Sequence, residues 1–346
     1  MPEDVTSAVR ASAPTPAPLA AARRVYVAIE TRSGPHVTPE LALWWRGRLW
    51  CFSARTTLKS RLVKRRPQVG LCGFVGDDAA VATGDASLLD AFDPSTVLDA
   101  LPEAALSGLA AGRWGLRHLP NVAGYALDLA SGRLGRDGLT PRALIAVRPA
   151  ATAVLDGTRV VRRDGAWPGA VDDPGPDLPS GCGHGGRGRS GGTREPGGTS
   201  EPGGTSDGTS GPDPDLGPVP ERTAELTGDR RRCVVGWSSR LGPLALPGWW
   251  DPAGSSAQVP AALFRLASLE ATSPASITLD DDVRPGPGGK HGLVVRGEGT
   301  ACVGDEEATI TVDAGKVTWW DGTDTGATAQ LGPAAPSDAW GACRPG

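Results

Sequence analysis

Six basic residues fall between positions 55 and 66: Arg55, Lys59, Arg61, Lys64, Arg65 and Arg66. Thr56 and Thr57 stand among them, Ser53 ends the apolar run just before, and Pro67 follows. Leu58, Leu62 and Val63 recur at i, i+4 and i+5, so Thr56–Arg66 is expected to be a short amphipathic helix stopped by Pro67. A helix N-terminus presents unpaired backbone N–H groups and a partial positive charge. Arg55 and Lys59, four apart, project on one side of it. That combination suits a phosphate, with a threonine hydroxyl donating a further hydrogen bond. The competing reading is a solvated basic face with no ligand. Upstream, His36 and Thr38 lie beside Pro35 in an apolar strand. His36 is either a ligand contact or a turn-proximal surface histidine.

Other chemistry is sparse. No Ser-His-Asp or Cys-His nucleophile system is recognisable, and no catalytic acid or base stands out. The cysteines at 51, 72, 182, 233, 302 and 343 form no CxxC pair, which argues against a disulfide scaffold or a zinc ribbon. Cys182 and His184 sit in a Gly-rich stretch, and two ligands do not close a zinc site, so no metal is expected. Cys51 and Cys72 fall on expected strands and read as buried apolar residues. Asp280–Asp282 reads as a solvated turn.

These residues must be positioned by a mainly β scaffold. Val25–Thr31, Val37–Trp45 and Leu49–Ser53 are strand-like, the last two joined by a hairpin at Arg46–Arg48. Val69–Val75 and Ala79–Leu88 form a second hairpin. Helical structure is expected around Val97–Leu109, broken or restarted at Pro102. Tyr125–Leu129 and Ala143–Val147 are expected as closing strands of a small barrel.

The chain of 346 residues divides by composition. Gly 49 and Pro 32 make up close to a quarter of it. The expected organisation is an Ala/Pro-rich tail (1–22), a first barrel (23–163), a Gly/Pro/Ser/Thr-rich linker (164–229), a second barrel (230–325) and a C-terminal tail (326–346). A net charge of −4 argues against a nucleic-acid partner, and no apolar run approaches a membrane span. The first residues lack the basic-then-apolar pattern of a secretion signal, so a cytoplasmic location is expected.

The second block repeats the first. SGPHVTP (33–39) matches LGPLALP (241–247), and ATGDASLL (82–89) matches VRGEGTAC (295–302), with Gly84 on Gly297. LIAVRPAATAVLDGT (144–158) matches TITVDAGKVTWWDGT (309–323), and the helix stop sets Pro67 on Pro274. Four anchors in one order indicate a tandem duplication. The stretch 94–122 has no counterpart and reads as an insertion. On the Pro67/Pro274 alignment the six basic residues face Ala262, Leu266, Ser268, Ala271, Thr272 and Ser273, while His36 and Thr38 face Leu244 and Leu246. One copy keeps a polar site and the other is apolar, so one ligand site per chain is expected.

HVTPELALWWRGRLWCFSARTTLKSRLVKRRPQVGLCGF followed by VATGDASLLD resembles the pyridoxamine 5′-phosphate oxidase-like family of flavin- and deazaflavin-binding split β-barrels. The resemblance covers about 23–160. It implies a six-stranded split barrel that dimerises, with cofactor in the dimer groove. Duplication then implies a tandem pair of barrels pairing within one chain, as a monomer or as a domain-swapped dimer. Lys59 matches the family's phosphate lysine and Thr57 its Ser/Thr, while Leu62 replaces a frequent Asn. The implied cofactor set is His36, Thr38, Ser53, Arg55, Thr56, Thr57, Lys59 and Arg61. FMN is the first expectation, a deazaflavin coenzyme the second and haem the third. Trp237, Trp249 and Trp250 are either ring-stacking walls or core residues. The implied function is a flavoprotein oxidoreductase acting on a small-molecule substrate or electron donor. The rivals are a cofactor- or haem-binding protein without redox activity, and a scaffold whose linker is the functional part.

Overall fold

The computed structural model describes residues 16–55, 57–132, 141–169, 218–282, 285–322 and 324–328. Thr56, Cys182, His184 and the Gly-rich repeat lie outside the described residues.

Two antiparallel sheets of seven strands share one topology. The first contains β1 (Arg24–Thr31), β2 (Gly34–Trp45), β3 (Arg48–Ala54), β4 (Gln68–Val75), β5 (Asp78–Leu89), β6 (Arg142–Asp156) and β7 (Arg159–Gly165). Its order is β3-β2-β1-β4-β5-β6-β7, and β3 also pairs with β6, which closes six strands into a barrel. The second contains β8 (Arg231–Ser239), β9 (Gly242–Asp251), β10 (Ser256–Pro260), β11 (Thr272–Asp282), β12 (Lys290–Val303), β13 (Glu307–Asp321) and β14 (Asp324–Thr328). Its order, β10-β9-β8-β11-β12-β13-β14 with β10–β13 closure, is the same. The fold is a tandem pair of split β-barrels.

The repeated anchors are structural equivalents. Gly34 and Gly242 open β2 and β9 at φ +95° and +92°, a left-handed conformation that glycine adopts without penalty. Gly84 and Gly297 each mark a register shift in the pairing of β5 with β6 and of β12 with β13. The helix stop is different. Ile29 pairs with Val69, and its equivalent Trp237 pairs with Ala275, so Gln68 corresponds to Pro274 and Pro67 to Ser273. The expected Pro67/Pro274 match is therefore one residue out of register. Helix α2 (Leu58–Arg65) runs almost into β4, whereas its counterpart α7 (Ala261–Leu266) ends five residues before β11, so a gap-free alignment does not hold there. Helix α7 nevertheless lacks the basic cluster, Arg265 being its one basic residue.

Alternation along β2 sorts its side chains. Opposed residues in an antiparallel pair point to the same face. His36, Thr38 and Glu40 oppose Ile29, Val27 and Val25, which belong to the first barrel's own core. Val37 opposes Ala28, and both join the core shared with the second barrel. That shared core also takes Cys72, Val81 and Leu155 from one side and Val235, Trp237, Leu244 and Leu246 from the other. Gly70 lies against the Pro243–Ala245 backbone, too close for any Cβ. Trp237 and Trp250 are fully buried core residues, while Trp249 is exposed.

Ordered structure extends beyond the expected barrel limits. Helix α1 (Ala17–Ala21) lies within the expected tail, and its Leu19 is buried against Gly73. Helix α6 (Glu221–Ala224) lies within the expected linker, with Val219 and Leu226 in the shared core. The expected strand at Tyr125–Leu129 is a correction of another kind: these residues are helical. The insertion comprises α3 (Pro94–Asp99), α4 (Leu101–Arg117) and α5 (Leu119–Ala130). A five-residue alternating run does not separate strand from helix. Among the described residues, no helix is long and apolar enough to cross a membrane.

Candidate functional site

A cavity of about 400 Å³ lies between the first barrel, the insertion and the start of β12. The barrel contributes Glu40 and Leu41 from β2, Phe52 from β3 and Arg142 from β6. The insertion adds Trp114, Asn121, Val122 and Tyr125, and the second barrel adds Lys290.

The insertion is held in place as a roof. The Trp114 indole N–H donates to Leu41 O at 2.8 Å, and its ring meets Phe52 edge-on at 4.8 Å. His118 Nε2 lies 2.9 Å from Ala42 O. Glu103 is buried and accepts from Arg48 at 2.9 Å and Arg148 at 2.7 Å. Helix α5 docks on the second barrel's loop before β12. Gly286 N donates to Asn121 Oδ1, and Gly288 N donates to Asp128 Oδ2. Gly124 sits so close to Pro285 O that a Cβ would lie 2.6 Å from it.

The cavity is aromatic on its walls and charged at its edge. Arg142 donates to the Tyr125 hydroxyl at 3.0 Å and lies over that ring at 5.0 Å. Burial holds the Lys290 ammonium below its ordinary pKa, against the opposing pull of Tyr125 and Glu40. Nearby, Asp280 accepts from Arg24 at 2.6 Å and from the Tyr26 hydroxyl at 2.8 Å. Burial raises the Asp280 pKa, and Arg24 opposes that rise.

The symmetry-related groove is lined differently. Along the equivalent strands Arg232 replaces Arg24, Trp249 replaces Leu41 and Phe74 replaces Asp280. Counting from Gly84 and Gly297, Asp77 replaces Lys290. Arg232 pairs with Asp77 at 2.6 Å and lies over Phe74 at 5.5 Å and Trp249 at 5.4 Å. Both grooves thus carry a paired arginine at this position, and they differ in the roof, because α3 to α5 join β5 to β6 whereas three residues join β12 to β13.

Of the residues expected from sequence, the described ones are not among the lining residues. His36, Thr38 and Ser53 share the barrel-facing side of β2 and β3; the groove side carries Leu41 and Phe52. Thr57 caps α2, accepting from Ser60 N, and lies 2.9 Å from Ser53 Oγ. Lys59 is buried and paired with Glu40, which does reach the cavity. Arg55 pairs with Asp90 at 2.5 Å and Lys64 with Asp93 at 2.6 Å. Arg61 is exposed. Around the helix start, Arg55, Lys59 and Lys64 are thus each matched by a carboxylate.

Two buried polar atoms in that region, His36 Nδ1 and Thr38 Oγ1, have no hydrogen-bond partner. Burial, aided by Arg296, Lys59 and Lys316, lowers the His36 pKa to about 3. Burial and the Glu40 charge push the Cys51 thiol up to about 12, so it is an inert core residue. Sequence reasoning missed Trp114, Asn121, Tyr125, Arg142 and Lys290. The aromatic pair Trp114 and Tyr125 within one insertion was the available signal. Lys290 gave none, because it reaches the cavity through barrel pairing. Among the described residues no group of three His, Cys, Asp or Glu side chains is placed to hold a metal.

The chain is similar to solved split-barrel proteins. One is a pyridoxamine 5′-phosphate oxidase-related, FMN-binding protein from Nostoc punctiforme, at 14% identity and TM-score 0.30, covering 39% of this chain and 75% of that one. A second is an F420 reductase, at 17% identity and TM-score 0.27, covering 39% and 93%. A third is an FAD-binding protein from Mesorhizobium loti, at 14% identity and TM-score 0.26, covering 43% and 91%. At these identities and scores the likeness decides no function, and the fold rests on the strand order above. No protein-family profile and no curated protein matches the sequence.

Proposed function

We propose that this chain binds one flavin-type cofactor in the groove between its barrels, FMN in first place and a deazaflavin in second. The carrying observation is the asymmetry of the two equivalent grooves. One holds a cavity of about 400 Å³ under Trp114 and Tyr125, and the other lacks that roof. The volume falls in the usual range for small-molecule sites.

The lining fits a planar aromatic anion. Phe52, Trp114 and Tyr125 offer ring faces or edges, and Leu41 and Val122 exclude water. Arg142 and Lys290 supply the cationic groups for a phosphate-bearing tail. Lys59 stands behind Glu40 and neutralises it, so that this carboxylate does not oppose an anionic ligand. A haem fits less well, because the described lining has no His, Cys or Met to ligate iron and its one tyrosine, Tyr125, is engaged by Arg142.

When bound, a flavin supplies the electron or hydride chemistry, and the protein supplies orientation and electrostatics. In this chain the roof helices would exclude water, and Arg142 would steady both Tyr125 and the ligand's negative charge. Glu40, Tyr125 and Lys290 are the titratable groups of the lining beside Arg142. Oxidoreductase activity on a small-molecule electron donor in the cytoplasm is the reading that follows.

The test is the visible absorption spectrum of the chain purified from a host that makes both FMN and a deazaflavin. A bound chromophore that is lost on Arg142→Ala supports the reading. A colourless protein that takes up neither cofactor on titration overturns it, leaving a structural role.

A further inference from the structure

The insertion is apolar on the wrong side for a helix pair covering a barrel. Its buried positions include Glu103, His118 and Asp128. Its outward positions include Leu101, Leu109, Leu116, Leu119 and Leu127. Leu109 is 59% exposed, Leu116 76% and Leu127 69%. Outward positions recur every three to four residues through α4 and on through α5 without changing phase, so they form one stripe. Among the exposed positions of these two helices Arg113 is the one charge, and it leans over the Trp45 ring at 4.9 Å.

Exposed apolar faces of this kind mark interaction sites on a protein surface. Its five leucines, each 59% to 76% exposed, offer apolar surface comparable with the roughly 800 Å² that each partner contributes to a standard interface. The stripe is also self-complementary. Gly108 and Gly112 lie on it four residues apart, and a Cβ at either would meet nothing within 4 Å. Leucine ridges thus flank a glycine groove on the same helix. A two-fold axis through such a surface sets ridge into groove in both directions and lets two backbones approach closely.

We propose that a second copy of this chain docks on the α4–α5 face, giving an isologous dimer in which α4 crosses its own counterpart at Gly108 and Gly112. The barrel surface that the duplication uses internally is separate from this face. A lipid surface suits it less. Interfacial helices carry Lys and Arg along a solvated polar face. Here that face is packed on the barrel, and α4 and α5 contain two arginines and no lysine.

Sedimentation velocity of the full chain over a micromolar range tests this. Wild type is expected at twice the chain mass. Leu109→Glu with Leu116→Glu is expected at one chain mass with an unchanged far-ultraviolet circular dichroism spectrum, because both side chains are exposed. Val161→Glu, on the exposed strand β7, is expected to leave the dimer intact. A monomeric wild type, or a dimer that persists in the double variant, overturns the proposal. So does a wild-type monomer that co-sediments with phosphatidylglycerol vesicles, which would assign the face to a bilayer.

Discussion

Lys59 shows how one residue's environment decides its role. Its spacing from Arg55 suits a phosphate, but its ammonium is buried and meets Glu40. Removing one member of such a pair leaves an uncompensated charge, whereas removing both can be neutral. Glu40→Ala is therefore expected to lower the unfolding free energy by about 3 kcal/mol. Lys59→Met added to Glu40→Ala is expected to restore most of it. Denaturant unfolding of the four-member cycle measures this, and additive losses would remove the pair from the account.

His36 is the other residue whose setting has a measurable consequence. Its folded-state pKa of about 3 lies below the ordinary value of 6.5. The unfolded chain takes up that proton as pH falls below 6.5, while the folded chain does not until about 3. Stability is thus fully present above pH 6.5 and declines between 6.5 and 3, by on the order of 1 kcal/mol per pH unit. His36→Asn is expected to flatten the decline across that window. Equal slopes in wild type and variant would contradict it. Sequence pointed to His36 and Thr38 as polar and unusual, and both do carry unpaired buried atoms. It did not reveal which side of β2 they occupy, because a shift of one residue exchanges the two faces of a strand.

At the scale of elements, the insertion turns an ordinary groove into a cavity. Most strands were legible from alternation and turn residues, as in β1, β2 and β3. The insertion was legible only in part, because α5 buries Gly124 and Asp128 and exposes Leu127 and Leu129. An inverted amphipathic pattern hides a helix from any rule that seeks apolar residues on the inside. The consequence for binding is specific to Gly124. A methyl group there would collide with the Pro285 carbonyl and lever α5 away from the second barrel. Gly124→Ala is expected to weaken cofactor binding at least tenfold. The barrels should still unfold at an unchanged denaturant midpoint. Undiminished affinity would show that the roof does not shape the site.

At the scale of the molecule, duplication gives one chain the geometry of a dimer and frees its two grooves to diverge. The repeat was visible because Gly34/Gly242 and Gly84/Gly297 answer backbone requirements that only glycine meets cheaply. The Pro67/Pro274 match failed because prolines at a helix stop and inside β11 do different jobs. Divergence is plainest in the roof, since α4 and α5 cover one groove and the three-residue connection between β12 and β13 supplies no counterpart over the other. Calorimetric titration of the full chain with FMN, beside Trp114→Ala and Arg232→Ala, tests this most directly. One equivalent per chain is expected, weakened by Trp114→Ala and untouched by Arg232→Ala. Two equivalents in wild type, or a loss of binding with Arg232→Ala alone, would contradict it.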